Sequence, residues 1–132
     1  MTLVLVDASV WARRLRPAVS EPLGDAIEEH RVVVIEPVIL ELLRGVRDAR
    51  EVIRQARRYD ALRKVPLGPR LERRARDVQV RLSWRGYHRG PSPVDLLAAA
   101  AAESVDAELW HCDRHFELIA EVTGQPMRRV GT

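Results

Sequence analysis

"LVLVDASVWARRL", residues Leu3 to Leu15, changes its period partway along. Leu3 to Val6 are apolar without alternation, the pattern of a strand covered on both faces, and the run ends on an acid, Asp7. "ASVWARRL" then has helical spacing and reads as a helix over 8–15. An antiparallel strand with one face in water would alternate, so a doubly covered strand feeding a helix is the opening of a parallel α/β unit.

Downstream the pattern recurs. Ser20 and Pro22 read as a helix start, "EPLGDAIEEH" carries that helix, and "RVVVIEP" is a second buried strand closed by Pro37. Pro37 suits a first helical turn, so "PVILELLRG" is a helix ending near Gly45, and Asp48 is the N-cap for "AREVIRQARRYDAL". "RKVPL" reads as a short edge strand. "PRLERRARDVQVRLSWRG" then places Leu71, Ala75, Val78 and Leu82 on one helical face among many arginines. After the loop "YHRGPS" come the helix "SPVDLLAAAAAESV", the buried strand "AELWHC", the helix "DRHFELIAEVTG" and a last strand "MRRV". Strands alternating with helices predict an α/β three-layer sandwich. Its central, mostly parallel sheet has four to five strands and helices on both faces, all in a single domain over 1–132. No repeat, linker or low-complexity stretch interrupts it.

The chain has 132 residues, 46% of them apolar, enough for one ordinary core. Its 22 basic and 19 acidic residues leave +3, and 21 of the 22 are Arg, which suits phosphate but equally reflects composition bias. Cys112 is the single cysteine, so no internal disulfide forms and a reducing, cytoplasmic setting is expected. The N-terminus lacks a secretory leader pattern, and no apolar stretch approaches the roughly 20 residues of a membrane span.

In a parallel sheet, chemistry gathers beyond the carboxyl ends of the strands. The first strand ends at Asp7, the fourth hands over to Asp113, and the second ends at Glu36 with Glu41 in the following helix. Asp95 lies in the first turn of the helix leading to the fourth strand. Each acid also has a simpler role. Asp7 and Asp113 suit helix N-caps, "SPVD" is a capping box in its Asp form, and Glu41 stands three residues before Arg44. Glu41 nevertheless sits between "VIL" and "LL", where a lone carboxylate is costly. Acids converging in one cleft repel one another unless a cation stands among them. Oxygen donors of this kind favour Mg²⁺ or Mn²⁺ over zinc, and such ions bind substrate phosphate. The chemistry expected is metal-assisted phosphodiester hydrolysis, with the Arg-rich faces meeting an RNA or DNA backbone.

The blocks "VDASVW", "EPVILELLRG", "SPVDLLAAAAA" and "HCDRHFELIAEVTG" resemble, in order, the four motif blocks of PIN-domain ribonucleases, specifically VapC-type toxins. The likeness covers nearly the whole chain. It implies a PIN-like fold and an endoribonuclease that cuts structured RNA such as tRNA or rRNA with Mg²⁺ or Mn²⁺. It also implies a homodimer or toxin-antitoxin hetero-oligomer, silenced by a cognate VapB-type antitoxin. By this resemblance Asp7, Glu41, Asp95 and Asp113 take the metal-binding and catalytic positions, and Ser9 the hydroxyl that supports the first Asp. His115 stands where many relatives carry a further acid, which leaves one or two metal ions open.

Other classes fit less well. His111 and Cys112, as consecutive strand residues, point to opposite faces and do not share a zinc ion, and Cys112 reads as a small core residue. A receiver-like binding module needs a Lys after the last strand, whereas the single Lys is Lys64. A PIN-like binding module without nuclease activity would not need acids in all four blocks. Trp11, Leu15, Leu40 and Leu43 are candidates for self-association or for an antitoxin groove, with core packing the simpler role for most of them. The basic helix from Arg70 to Arg85, with Trp84 and Tyr87, is a candidate for RNA contact or simply a solvated face.

Overall fold

Val4–Val6 forms β1, and all three side chains are fully buried. In this computed structural model, which describes residues 1–131, the chain continues through α1 (Ala8–Trp11), α2 (Pro17–Glu28) and β2 (Val32–Val34). There follow α3 (Glu36–Arg44), α4 (Ala49–Asp60), β3 (Arg63–Lys64) and α5 (Pro69–Ser83). The last elements are α6 (Pro93–Ser104), β4 (Glu108–His111), α7 (Arg114–Thr123) and β5 (Met127–Arg129). The sheet has the order β3-β2-β1-β4-β5, with every pairing parallel.

β1 is central because its unbroken apolar run tolerates cover on both faces and strands on both edges, Val4 lying opposite Val32 on one side and Glu108 on the other. β3 and β5 take the edges; Arg63, Lys64, Arg128 and Arg129 are exposed there, as suits strands facing water. α5, α6 and α7 pack on one another, and α3 packs on α1 and α4. Right-handed crossovers place these two groups on opposite faces of the sheet. Strand order reverses between β1 and β4, whose carboxyl ends are joined by the Asp7 N–H donating to the Trp110 carbonyl at 2.9 Å.

Two boundaries depart from expectation. The first helix is a single turn over 8–11, and the second begins at Pro17, well before Ser20 and Pro22. Pro17 holds Arg16 extended (φ −75°, ψ 135°) and occupies the first turn of α2, so the boundary lies ahead of it. Pro22 is absorbed inside α2 at the loss of one backbone bond. Glu36 opens α3, where it is exposed and pairs with Lys64 at 3.2 Å, away from any cluster.

α6 carries the consecutive buried residues Ala98 to Ala102 and packs against α5, α7 and the sheet. Methyl groups all round let it lie close to both layers, which holds its N-terminus, and with it Asp95, at the strand ends. Ala101→Leu should overpack this seam and cost about 1–3 kcal/mol. Thermal denaturation would show a lower melting temperature; an unchanged one would contradict close packing here.

Candidate active site

Asp7 leaves β1 as the N-cap of α1 and is 3% exposed. Its Oδ2 accepts from the Ser9 N–H at 3.0 Å and from the Ser9 hydroxyl at 2.7 Å. That hydroxyl also accepts from the Cys112 N–H at 3.0 Å, so Ser9 ties the end of β1 to the end of β4. Ser9→Ala strands a partly buried N–H and frees Asp7 to rotate. The expected cost is about 1–3 kcal/mol of stability and about 10–100-fold in metal affinity, both read by thermal shift with and without Mn²⁺. Wild-type behaviour in both would remove Ser9 from the site.

Asp113 caps α7, its Oδ1 accepting from the His115 N–H at 3.0 Å. Its own N–H donates to His111 Nδ1 at 3.3 Å. His111 is 2% exposed and lies against the Phe116 ring at 5.3 Å. Burial, and then Arg129, lower the His111 pKa, which keeps the ring neutral and Nδ1 free to accept. Asp95 completes a capping box with Ser92: its Oδ2 accepts from the Ser92 N–H at 2.8 Å, and its N–H donates to Ser92 Oγ at 3.1 Å.

All three capping assignments therefore hold, and each leaves something over. Asp7, Asp95 and Asp113 each use one carboxylate oxygen for the cap. The other oxygen of each makes no hydrogen bond among the described residues. These three acids, Glu41 and Ser9 line one cleft of about 370 Å³ together with the small residues Ala8, Ala12 and Gly45. Ligand atoms of Asp95, Asp113 and His115 lie within 4.8 Å of one another. Glu41 lines the cleft from α3 without joining that trio, and Glu36 stays outside.

The electrostatics are those of crowded acids. Burial, reinforced by Asp7 and Asp113 and opposed by the Ser92 hydrogen bonds, pushes Asp95 up to about 6. Glu41 is largely exposed on α3, out of the apolar setting its neighbours in sequence suggest; partial desolvation at the cleft wall and then the Asp7 charge raise its pKa, against the pull of Arg44. Converging carboxylates with unspent oxygens and a neighbouring imidazole are a donor set that a divalent cation fits, because the ion would offset the desolvation and, after it, the carboxylate repulsion that raise these pKa values.

His115, placed by sequence only as a substitute for an acid, joins the trio, with Nδ1 3.4 Å from Asp113 Oδ1. The supporting part of His111 was missed; the available signal was a His two residues before a capping Asp. Cys112 is half-buried at the edge of the core, its Sγ facing the Gly131 carbonyl at 3.8 Å. Of the candidate contact residues, Trp11 is a core residue at 2% exposure, whereas Leu15, Leu40, Trp84 and Tyr87 are exposed.

The PIN domain family matches residues 4–122. Ribonuclease VapC2 of Mycobacterium tuberculosis (strain CDC 1551 / Oshkosh) is 45% identical over 129 residues, covering 96% of this chain and 91% of that protein. Ribonuclease VapC18 of M. tuberculosis (strain ATCC 25618 / H37Rv) is 32% identical over 123 residues, covering 92% and 90%. Among solved structures, VapBC2 from Rickettsia felis, bound to a DNA fragment from their promoter, superposes with a TM-score of 0.78. The identity is 12%, and 97% of this chain and 98% of that one are covered. DNA-bound VapBC from Salmonella typhimurium gives a TM-score of 0.75 at 15% identity, covering 98% of each chain. At such identities the structures speak for the fold, while the sequence relatives carry the family: the chain belongs to the PIN domain family, among its VapC ribonucleases.

Proposed function

We propose that this chain is a metal-dependent endoribonuclease, the toxin of a type II toxin-antitoxin pair, that hydrolyses phosphodiester bonds in structured RNA, tRNA or rRNA, and so inhibits translation. Asp7, Glu41, Asp95 and Asp113 are its metal-binding and catalytic acids, with Ser9 and His115 in support. The observation that carries this is the cleft in which three helix-capping carboxylates, each with an unspent oxygen, meet Glu41 beside His115.

Asp95, Asp113 and Asp7 would hold Mg²⁺ or Mn²⁺ through those oxygens. When bound, the ion supplies acidification of the attacking water and neutralisation of phosphate charge. Glu41, on the cleft wall beside Asp7, would take the water proton at an Oε atom as the water oxygen bonds to phosphorus, and O3′ would leave with a proton from solvent. Ser9 holds the Asp7 carboxylate in register with β4, and His111 does the same for Asp113 through its backbone N–H. The exposed arginines meet the RNA backbone.

The working unit is a single PIN domain over 1–132 acting in the cytoplasm; no helix among the described residues is long and apolar enough to cross a membrane. The partner is a VapB-type antitoxin in a homodimer or hetero-oligomer, for which exposed Leu15 and Leu40 offer apolar contacts. Brief induction in a bacterial host should arrest growth and leave discrete cuts in total RNA. Co-expression of the adjacent upstream reading frame should relieve the arrest. Purified protein should cut RNA with Mg²⁺ or Mn²⁺ and not with EDTA; no cleavage with either metal would refute the proposal.

A further inference from the structure

A second cavity, of about 490 Å³, opens between the loop joining α5 to α6 and the outer face of α7. Its walls are Tyr87, Arg114, His115, Glu117, Leu118 and Glu121. His115 is common to this cavity and to the trio with Asp95 and Asp113, so whatever fills it lies one side chain from the cleft. The volume falls within the roughly 300–1,000 Å³ of small-ligand sites.

Two glycines shape the loop along its edge. Gly86 takes φ +76°, which turns the loop, and a Cβ at Gly90 would stand 3.3 Å from His115 Cδ2 and 3.5 Å from Leu118 Cδ1. Tyr87 is 42% exposed, which leaves ring surface free to stack, and Leu118 adds an apolar wall. Glu117 is paired with Arg129 at 2.7 Å and Glu121 with Arg85 at 3.2 Å. Their charges are thus compensated while their oxygens remain acceptors. Arg114 makes no ion pair among the described residues and stands free for a phosphate.

We propose that this cavity is a nucleobase subsite: it takes an unstacked base of the RNA strand next to the cleaved bond, stacked on Tyr87. The Glu117 and Glu121 carboxylates accept from its amino group, and Arg114 holds the adjoining phosphate. This rests on the ribonuclease reading, since the cavity's meaning as a subsite comes from its place beside the cleft. Carboxylate acceptors favour a base with an exocyclic amine, so cytosine is bound over uracil, which presents a carbonyl at that position.

The test is fluorescence anisotropy of the whole protein in EDTA with 5′-labelled decacytidine and decauridine. Wild type should bind decacytidine at least about fivefold more tightly. Tyr87→Ala should weaken decacytidine binding about 5- to 150-fold, while Tyr87→Phe, which keeps the ring, stays near wild type. Equal binding of the two oligonucleotides by wild type, or unchanged binding in Tyr87→Ala, overturns the proposal. RNA cleavage by the same preparation in Mn²⁺ is a separate readout of the ribonuclease reading, so the two fail independently.

Discussion

Asp7→Asn and Asp113→Asn, each purified, should cut RNA at least about 100-fold more slowly than wild type, since losing a ligand exceeds the 10–100-fold cost of losing its support. Both should keep the fold. Asn and Asp are about equally good N-caps, so the amide oxygen can take over the bond to the Ser9 N–H in one variant and to the His115 N–H in the other. The atom left pointing elsewhere is then an NH₂ group, which donates and does not ligate a cation. The substitution thus separates the two roles that one carboxylate performs. Near-wild-type cleavage in both variants, with unchanged melting curves, would sink the site assignment.

Mn²⁺ at about 100 times its Kd should stabilise the wild type by about 2.7 kcal/mol, roughly 10 °C in melting temperature for a chain of this size. The effect should fade as pH falls from 7 to 5. Asp95 ionises only above about 6 in the folded chain, against an ordinary value of 3.8, so below that pH the ion must displace a proton. Without metal the sign reverses. The folded state binds the Asp95 proton more readily than the unfolded one does, so this group lowers stability increasingly as pH rises from about 4 to 6. Acidification from pH 7 to 5 should therefore relieve the Asp95 cost in the metal-free protein, while removing the benefit of added Mn²⁺. A metal-induced shift equal at pH 5 and 7, or retained in Asp113→Asn, would contradict a site built on these carboxylates.

The strands were legible because a parallel sheet covered on both faces demands unbroken apolar runs, and Leu3–Val6, Val32–Ile35 and Leu109–Trp110 supply them. Residues at their carboxyl ends follow directly, which is why Asp7 and Asp113 could be named without coordinates. Asp95 was legible through "SPVD", whose capping box is present. The first helix ends four residues before the helical spacing of "ASVWARRL" does, because after Trp11 the chain tightens into i→i−3 turns, the Arg13 N–H donating to the Val10 carbonyl and the Arg14 N–H to the Trp11 carbonyl. Trp11, for which core packing was the simpler role beside a contact role, is core, its ring meeting Tyr59 edge-on at 5.4 Å.

Sequence by itself determined the layer architecture, the acids at the strand ends and the family, since all three rest on local periodicity and on motif blocks contiguous in the chain. Only the tertiary structure decided which groups meet. Strand order puts Asp7 beside Cys112, 105 positions later, through the Ser9 hydroxyl, and α6 delivers Asp95 next to Asp113 and His115. It also separated Glu36 from the cleft that Glu41 lines, and opened the Tyr87 cavity against α7. Those outcomes depend on crossover direction, close helix packing on alanine and glycine, and side-chain orientation, which act between segments distant in the chain and leave no local period to read.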